Sequence, residues 1–146
     1  MPYNLSMQDL RSYEAVGYRP LSTEPDPISC LTTQPLVRFV VSPDSSLEPN
    51  DIAKKVTVFF GHSNVCVYIP GTAFDKNGVR HGRGGGWYDR FLSAVPSEWI
   101  RIGFCYENQF SSAPLKQEPW DELVDWICIK KVDRTEYYQT NARFKS

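Results

Sequence analysis

Apolar residues in the second half of the chain occur as short continuous runs separated by polar segments. The clearest runs are Val65–Ile69, Ile100–Tyr106 and residues 124–129. Runs of this length are typical of strands that are covered on both faces, and Trp87–Ala94 between the first two has the apolar spacing of a helix. The alternation predicts an α/β fold, with a mostly parallel sheet and flanking helices.

The first half of the chain has a different pattern, because seven of the eleven prolines lie within residues 1–50. Proline at that density excludes long helices and sheet interiors. We predict a short helix over residues 7–15 and a strand over residues 36–41. Residues 51–55 are expected to begin a turn or short helix, whereas residues 56–60 are β-branched and aromatic, which is typical of a strand.

The length of 146 residues favours one domain with a single core. Within it we predict a Pro-rich wrapping segment over residues 1–46, an α/β core over residues 47–130, and a basic aromatic tail over residues 131–146 that docks on the domain or on a partner. The net charge of −1 gives no general attraction to nucleic acid or to an anionic membrane, so any affinity for phosphate must be local. Neither a membrane span nor a signal peptide is visible, which favours the cytoplasm or the mitochondrial matrix.

The four cysteines are far apart in the sequence, and none forms a C-x-x-C pair. Cys66, Cys105 and Cys128 lie inside apolar runs, and Cys30 lies in the Pro-rich segment. We interpret them as reduced thiols in the core rather than as metal ligands or disulfides.

The stretch over residues 70–92, PGTAFDKNGVRHGRGGGWYDRFL, contains six of the nine glycines, with Arg80, His81 and Arg83 among them. Glycine allows several backbone N–H groups to converge on one anion. A predicted strand precedes the stretch and a predicted helix begins at its end, so unpaired amides and the positive end of a helix dipole point to the same place. We therefore predict that this stretch binds a nucleotide or another polyanion.

Other interpretations of the stretch remain open. It lacks the lysine and hydroxyl pair of G-x-x-x-x-G-K-[ST], and it has no G-x-G-x-x-G in a Rossmann position. A structural turn is one alternative, and a small RNA-binding tract using RGGGWY is another.

The arginines and histidines of this region are interpreted differently. Arg80 and Arg83 can each pair with phosphate through two hydrogen bonds. His62 and His81 show no spacing to a catalytic partner and are interpreted as loop residues.

Carboxylates near the stretch suggest a metal site. Asp89 lies in the first turn of the predicted helix, where it either stabilises the helix dipole or binds Mg²⁺ beside a phosphate. Asp121 would be the second magnesium ligand, with Asp125 as the competing candidate.

Two other features of the stretch have simpler interpretations. Asp75 precedes an Asn-Gly turn signal and is expected to accept hydrogen bonds from the turn. The aromatic pair after the glycines, Trp87 and Tyr88, belongs to the core or stacks on a planar ligand.

The glycine-rich stretch resembles the signature of the 5-formyltetrahydrofolate cyclo-ligase family (5,10-methenyltetrahydrofolate synthetase), P-G-x-A-F-D-x-x-G-x-R-x-G-x-G-x-G-Y-Y-D-R. IRIGFCYENQF is similar to the strand that follows in the family, and LKQEPWDELVDWICI is similar to its closing P-x-x-x-H-D-x-x-V-D segment. LEPN, at residues 47–50, is similar to a short Glu-Pro stretch upstream. The resemblance covers residues 47–130 well and the first forty or so residues poorly.

The resemblance implies a cyclo-ligase-like, CoA-transferase-like core and an ATP- and Mg²⁺-dependent conversion of 5-formyltetrahydrofolate to 5,10-methenyltetrahydrofolate, ADP and phosphate. In the family the formyl oxygen attacks the γ-phosphate of ATP, and N10 of the folate then closes the ring. Carried onto this chain, Arg80 and Arg83 are catalytic and Asp89 and Asp121 hold Mg²⁺. The implied ATP-binding residues are Arg80, His81, Gly82, Arg83, Gly84, Gly85, Gly86, Trp87 and Tyr88. Five of these, Arg83, Gly84, Gly85, Gly86 and Trp87, would also face the folate.

The chain departs from the family pattern in several places. The N-terminal helices that carry a lysine and an arginine for ATP, and the later folate-contacting glutamate, are expected to be absent; Arg11 and Glu14 are the best substitutes. Trp87 replaces a tyrosine, and Trp120 stands where the family has histidine. The alternative function is therefore a non-catalytic cyclo-ligase-like subunit of a larger assembly, for example of a ribonucleoprotein. In that case we expect the subunit to contact partner proteins and not the nucleic acid itself.

Overall fold

The computed structural model describes residue 10 and residues 12–21, 23–31, 37–43, 48–82 and 86–142. The elements within these ranges are, in chain order, β1 (Glu14–Tyr18), α1 (Pro27–Cys30), β2 (Val37–Val41), α2 (Pro49–Phe60), β3 (Val65–Ile69), β4 (Ala73–Phe74), β5 (Arg80–His81), α3 (Trp87–Ala94), β6 (Ile100–Tyr106), a 3-10 turn (Glu107–Gln109), β7 (Trp126–Lys130) and β8 (Thr135–Gln139). None of the helices in these ranges has the length and apolarity needed to cross a bilayer.

Six of the strands form one sheet in the order β2-β1-β3-β6-β7-β8. Neighbouring strands are parallel from β2 to β7, and β8 runs antiparallel to β7. Every residue of β3 is buried, and helices α2 and α3 pack against each other. The predicted α/β fold with a mostly parallel sheet and flanking helices is confirmed.

The N-terminal part of the chain supplies two strands to this sheet. The strand predicted at residues 36–41 is found as β2 from Val37 onward. The predicted helix over residues 7–15 is wrong at its end, because β1 begins at Glu14, and residues 7–9 and 11 of that prediction lie outside the described residues. Strand β1 lies between β2 and β3, and Ala15 and Val16 are fully buried there. A Cβ at Gly17 would lie 2.8 Å from a methyl group of Val37, so glycine permits the close approach of β1 and β2.

The predicted strand over residues 56–60 is also wrong, because these residues form the second half of helix α2. The helix begins with Pro49 after Glu48 and ends before Gly61. Its buried residues are Pro49, Ile52, Ala53, Val56 and Phe60. This spacing places one apolar stripe against the core, whereas Val58 is 82% exposed, so packing overrides the β propensity of the segment.

The C-terminal part of the chain completes the sheet. The predicted strand at residues 124–129 is found as β7, which begins at Trp126, and the tail docks on it through β8. Cys66, Cys105 and Cys128 are buried and unpaired, as expected for core thiols. Burial raises the pKa of the thiols of Cys105 and Cys128 to about 12, so both stay protonated at neutral pH.

A hydrogen bond between two tyrosines joins β8 to the centre of the sheet. The hydroxyl oxygens of Tyr68 and Tyr137 are 2.6 Å apart. We expect Tyr68→Phe to lower the free energy of unfolding by about 1–2 kcal/mol, because a partly buried hydroxyl loses its partner. The double variant Tyr68→Phe, Tyr137→Phe should lose less than the sum of the two single changes. Urea denaturation of all four proteins measures this coupling, and strict additivity would show that the hydroxyls do not interact.

Candidate functional site

A cavity of about 680 Å³ lies at the carboxyl ends of the parallel strands. Loops that follow β1, β2 and β3 supply part of its wall, and the rest comes from β5, the start of α3 and the loop after β6. Its lining residues are Leu21, Glu24, Pro43, Gly71, Thr72, Arg80, His81, Gly82, Gly86, Trp87, Tyr88, Asp89, Lys116, Glu118, Trp120 and Asp121. Ligands of open α/β sheets bind at this edge.

Most of the residues named from the sequence meet at this cavity. The structure brings together Arg80, His81, Gly82, Gly86, Trp87, Tyr88, Asp89 and Asp121. The remaining three, Arg83, Gly84 and Gly85, lie outside the described residues. His62 follows α2 and Asp125 precedes β7, and neither is among the lining residues.

A short hairpin of β4 and β5 carries the first half of the glycine-rich stretch to the cavity. Its turn is held by the buried Asp75, whose Oδ1 accepts hydrogen bonds from the amides of Asn77 and Val79 at 2.9 and 3.0 Å. Oδ2 of Asp75 accepts a third bond from the amide of Leu115 at 2.8 Å, which ties the hairpin to the loop after β6. Asp75 therefore has the structural role that the turn signal predicts.

The Arg80 side chain is fixed at the cavity wall by its surroundings. Its Nε donates a hydrogen bond to the carbonyl of Pro70, and its Cζ lies 4.9 Å from the centroid of the Tyr88 ring. Burial lowers the pKa of the Arg80 guanidinium, and the negative charge of Asp89 acts in the opposite direction. A Cβ at Gly82 would come within 2.7 Å of an Arg80 nitrogen, so glycine leaves the room that the guanidinium occupies.

His81 connects two loops of the cavity. Its Nε2 lies 2.8 Å from the carbonyl oxygen of Lys116. A carbonyl only accepts hydrogen bonds, so Nε2 carries the proton and Nδ1 is the acceptor atom of the neutral ring. Because the carbonyl of His81 also accepts the amide of Thr72 at 2.7 Å, His81 is held from both sides and positions the loop after β6.

The aromatic pair at the start of α3 is largely engaged with its neighbours. Trp87 stacks on Phe91, with ring centroids 5.4 Å apart and an angle of 15° between the planes. Tyr88 is 6% exposed, and the Arg80 guanidinium lies over its ring. The geometry favours the core interpretation of both rings over ligand stacking.

Asp89 and Asp121 approach the same part of the cavity. Oδ1 of Asp89 accepts the amide of Glu122 at 3.1 Å, and Oδ2 of Asp121 accepts the amide of Glu118 at 2.9 Å. Burial raises the pKa of the Asp89 carboxyl, while the Glu122 amide and Arg80 act in the opposite direction. The negative charge of Asp121, which lines the same cavity, also acts to raise that pKa.

Asp125, the competing metal candidate, belongs to the sheet rather than to the cavity. It is 1% exposed, and its Oδ2 accepts the amide of Arg101 at 2.8 Å. Within the described ranges, no group of three or more His, Cys, Asp or Glu side chains is arranged to hold a metal ion. A metal at the cavity would therefore have to complete its ligand shell with water or ligand oxygens.

Several residues of the cavity were not found from the sequence. Glu24, in the loop after β1, is the main one, and its Oε1 accepts the amide of Leu21 at 2.8 Å. Glu14, one of the two suggested substitutes, instead pairs with Arg38 at 2.9 Å, and Arg11 lies outside the described residues. The available signal for Glu24 was its place in a polar, Pro-rich segment directly after the short apolar run of β1.

Comparison with known proteins gives consistent results. A model of the 5-formyltetrahydrofolate cyclo-ligase family matches residues 45–130. The chain is 33% identical over 91 residues to a 5-formyltetrahydrofolate cyclo-ligase of Mycoplasma genitalium, covering 62% of this chain and 47% of that protein. It is 30% identical over 89 residues to the enzyme of the same name from Mycoplasma pneumoniae, covering 61% and 46%. The chain thus spans about half the length of these curated relatives.

Two solved structures share the fold. A 5,10-methenyltetrahydrofolate synthetase from Mycoplasma pneumoniae aligns with a TM-score of 0.51 and 23% identity, over 83% of this chain and 76% of that one. The synthetase from Aquifex aeolicus aligns with a TM-score of 0.54 and 21% identity, over 94% of this chain and 76% of that one. At these identities the likeness shows the fold alone.

Proposed function

Because the chain belongs to the 5-formyltetrahydrofolate cyclo-ligase family, we propose that it converts 5-formyltetrahydrofolate and ATP to 5,10-methenyltetrahydrofolate, ADP and phosphate, with the formyl oxygen leaving in the phosphate. The observation that carries this proposal is the meeting of Arg80, Asp89 and Asp121 at one cavity beside the glycine-rich stretch. These are the residue types that a phosphoryl transfer to a bound small molecule requires.

The charges at the cavity fit a nucleotide that enters together with a divalent cation. Among the described lining residues, the carboxylates are Glu24, Asp89, Glu118 and Asp121, and the cations are Arg80 and Lys116. This excess of negative charge opposes a bare triphosphate. Asp89 and Asp121 each accept one amide in the hydrogen bonds described above, and a carboxylate has room for about four acceptor contacts, so both retain capacity for Mg²⁺.

The backbone at the start of α3 fits the phosphates. Gly86 precedes the helix with a φ of 67°, a left-handed conformation that favours glycine, and no side chain caps the helix by a hydrogen bond. The first amides of a helix have no partner within it, and residues 86–89 line the cavity, so the start of α3 is the place where a phosphate would find backbone donors. Arg80 adds a fixed positive charge from the neighbouring hairpin.

Each group then has a task in the proposed reaction. ATP supplies the phosphoryl group that activates the formyl oxygen, and Mg²⁺ neutralises charge on the phosphates. Asp89 and Asp121 hold the metal, Arg80 and the α3 amides orient the phosphates, and His81 fixes the loop that carries Asp121. Glu24 accepts hydrogen bonds from N–H groups of the folate ring, the role that the resemblance gives to a glutamate of the N-terminal segment.

An absorbance assay for the methenyl product tests the proposal. Product is expected only when 5-formyltetrahydrofolate, ATP and Mg²⁺ are all present, and EDTA should abolish its formation. ATP with Mg²⁺ should also raise the melting temperature, an effect that Arg83→Ala should remove and the exposed control Arg38→Ala should retain. Ligand-induced stabilisation without any product would support the non-catalytic alternative, and the absence of both effects at millimolar ligand would contradict the proposed function.

A further inference from the structure

Trp120 is a large apolar side chain that the fold leaves in water. Its exposed fraction is 66%, and it lines the cavity one residue before Asp121. In contrast, Trp99 and Trp126 are 3% and 7% exposed. An exposed tryptophan on the wall of a cavity indicates a binding site more often than a packing role. The reason is that a ligand covering the indole face removes a large apolar surface from water.

The exposure of Trp120 does not come from a loosely held loop. The loop over residues 111–125 is fastened to the hairpin by the bonds from Leu115 to Asp75 and from His81 to Lys116, each 2.8 Å long. It is also closed on itself, since the amide of Asp121 donates to the carbonyl of Glu118 at 3.1 Å. The backbone that carries Trp120 is therefore anchored on both sides of this residue.

Trp120 also differs from the other rings at the cavity. Trp87 and Tyr88 are covered by Phe91 and by Arg80, respectively, as described above. No ring or cation lies on Trp120 within the part of the chain that the structure describes. Among the aromatic residues that line the cavity, Trp120 is thus the one that is mostly exposed.

We propose that Trp120 is a stacking platform for a planar heterocycle, and that this heterocycle is the pteridine ring of the reduced folate. The inference rests on the proposed function, in which Asp121 holds the metal beside the reacting phosphate. Adjacent residues are separated by about 3.8 Å between Cα atoms, so Trp120 lies near the end of the triphosphate that reacts. The pteridine must approach that end with its formyl group, whereas the adenine ring lies at the other end.

Isothermal titration calorimetry with two separate probes tests this assignment. The probes are 5-formyltetrahydrofolate and a non-hydrolysable ATP analogue with Mg²⁺, each titrated into the wild type, Trp120→Ala, Trp120→Phe and the control Val58→Ala. Val58 is an exposed apolar residue on α2 away from the cavity. Circular dichroism and melting temperature establish that each variant is folded.

We expect Trp120→Ala to weaken binding of the folate about 10-fold, because one stacking face is lost. Trp120→Phe should stay within about 3-fold of the wild type, since the smaller ring still stacks. Val58→Ala should bind both probes as the wild type does, and binding of the ATP analogue should be unchanged in all variants. Folate should also shield the wild type from acrylamide quenching of its exposed tryptophan emission.

Two results would overturn the inference without affecting the proposed function. One is equal folate affinity in Trp120→Ala and the wild type. The other is a loss of affinity confined to the ATP analogue, which would assign the platform to adenine. If the wild type binds neither probe, the proposed function itself is wrong and the inference fails with it.

Discussion

Asp89→Asn is expected to reduce ATP-dependent formation of the methenyl product about 100-fold or more while the protein stays folded. The substitution removes one of the two carboxylates proposed to hold Mg²⁺. It keeps a side-chain oxygen that can accept the amide of Glu122, a bond of 3.1 Å in the structure. The loss should be measured as initial rates over a range of Mg²⁺ concentrations, with partial recovery at high Mg²⁺.

The stability of this variant is expected to change in the opposite direction. Burial raises the pKa of Asp89 in the folded chain, so the ionised carboxylate lowers the free energy of unfolding at neutral pH. That penalty is relieved as the pH falls through the raised pKa. Asparagine does not ionise, and Asp89→Asn should therefore melt at or above the wild-type temperature at pH 7. A clearly lower melting temperature would assign Asp89 a structural role.

Asp51→Asn is the matched control for this prediction. Asp51 and Asp89 are both acidic residues in the first turn of a helix, α2 and α3 respectively, but only Asp89 lines the cavity. If Asp89 only stabilised the helix dipole, each of the two substitutions would lower the free energy of unfolding by about 0.5 kcal/mol and would not change the rate of product formation. We expect Asp51→Asn to behave in that way. Equal activity of the two variants would remove Asp89 from the proposed metal site.

Gly78→Ala is expected to lower the free energy of unfolding by about 3–5 kcal/mol, which is a large part of the stability of a domain of this size. Gly78 has a φ of +84°, and an added Cβ would lie 2.4 Å from the carbonyl oxygen of Val124. The contact cannot relax through a side-chain rotation, because the nearest atom belongs to the backbone. Urea denaturation should show a lower midpoint.

The control Gly61→Ala separates the two causes of this loss. Gly61 also has a positive φ, +60°, but nothing lies within 4 Å of the position of a Cβ there. Its substitution measures backbone strain alone, which we expect to cost about 1–2 kcal/mol. The excess loss in Gly78→Ala then measures the close approach of the hairpin turn to the segment before β7. Equal losses would show that this contact relaxes without consequence.

The elements that could be predicted from the sequence are those with a local hydrophobic pattern that fits only one type of secondary structure. Strands β3 and β6 are continuous apolar runs, and α3 follows a glycine and keeps one apolar face, so their patterns point to one structure each. The turn or short helix expected from residue 51 was correct for the first half of α2, but its second half, VTVFF, has strand propensity, and the packing of the Ile52 and Val56 side chains decides otherwise. Strand β1 was missed because its pairing with β3 depends on residues far along the chain.

The same distinction applies to the site. The glycine-rich stretch could be placed at the carboxyl ends of the parallel strands, where ligands bind, whereas the pairing of Asp121 with Asp89 came from the family resemblance. Glu24 and Pro43 reach the cavity only because β1 and β2 belong to the main sheet, which the sequence pattern did not indicate. The exposure of Trp120 could not be foreseen either, since a tryptophan in a polar loop is equally compatible with burial.

The position of β1 between β2 and β3 has a consequence for folding kinetics. The strand is synthesised before β3, one of its two neighbours in the sheet, whose residues follow much later in the chain. Closing that long loop costs entropy before the pairing is gained, so formation of the sheet centre should be slow compared with helix formation. During synthesis one edge of β1 stays unpaired until β3 has been made. A ribosome-bound chain that ends before residue 65 should therefore be prone to aggregation.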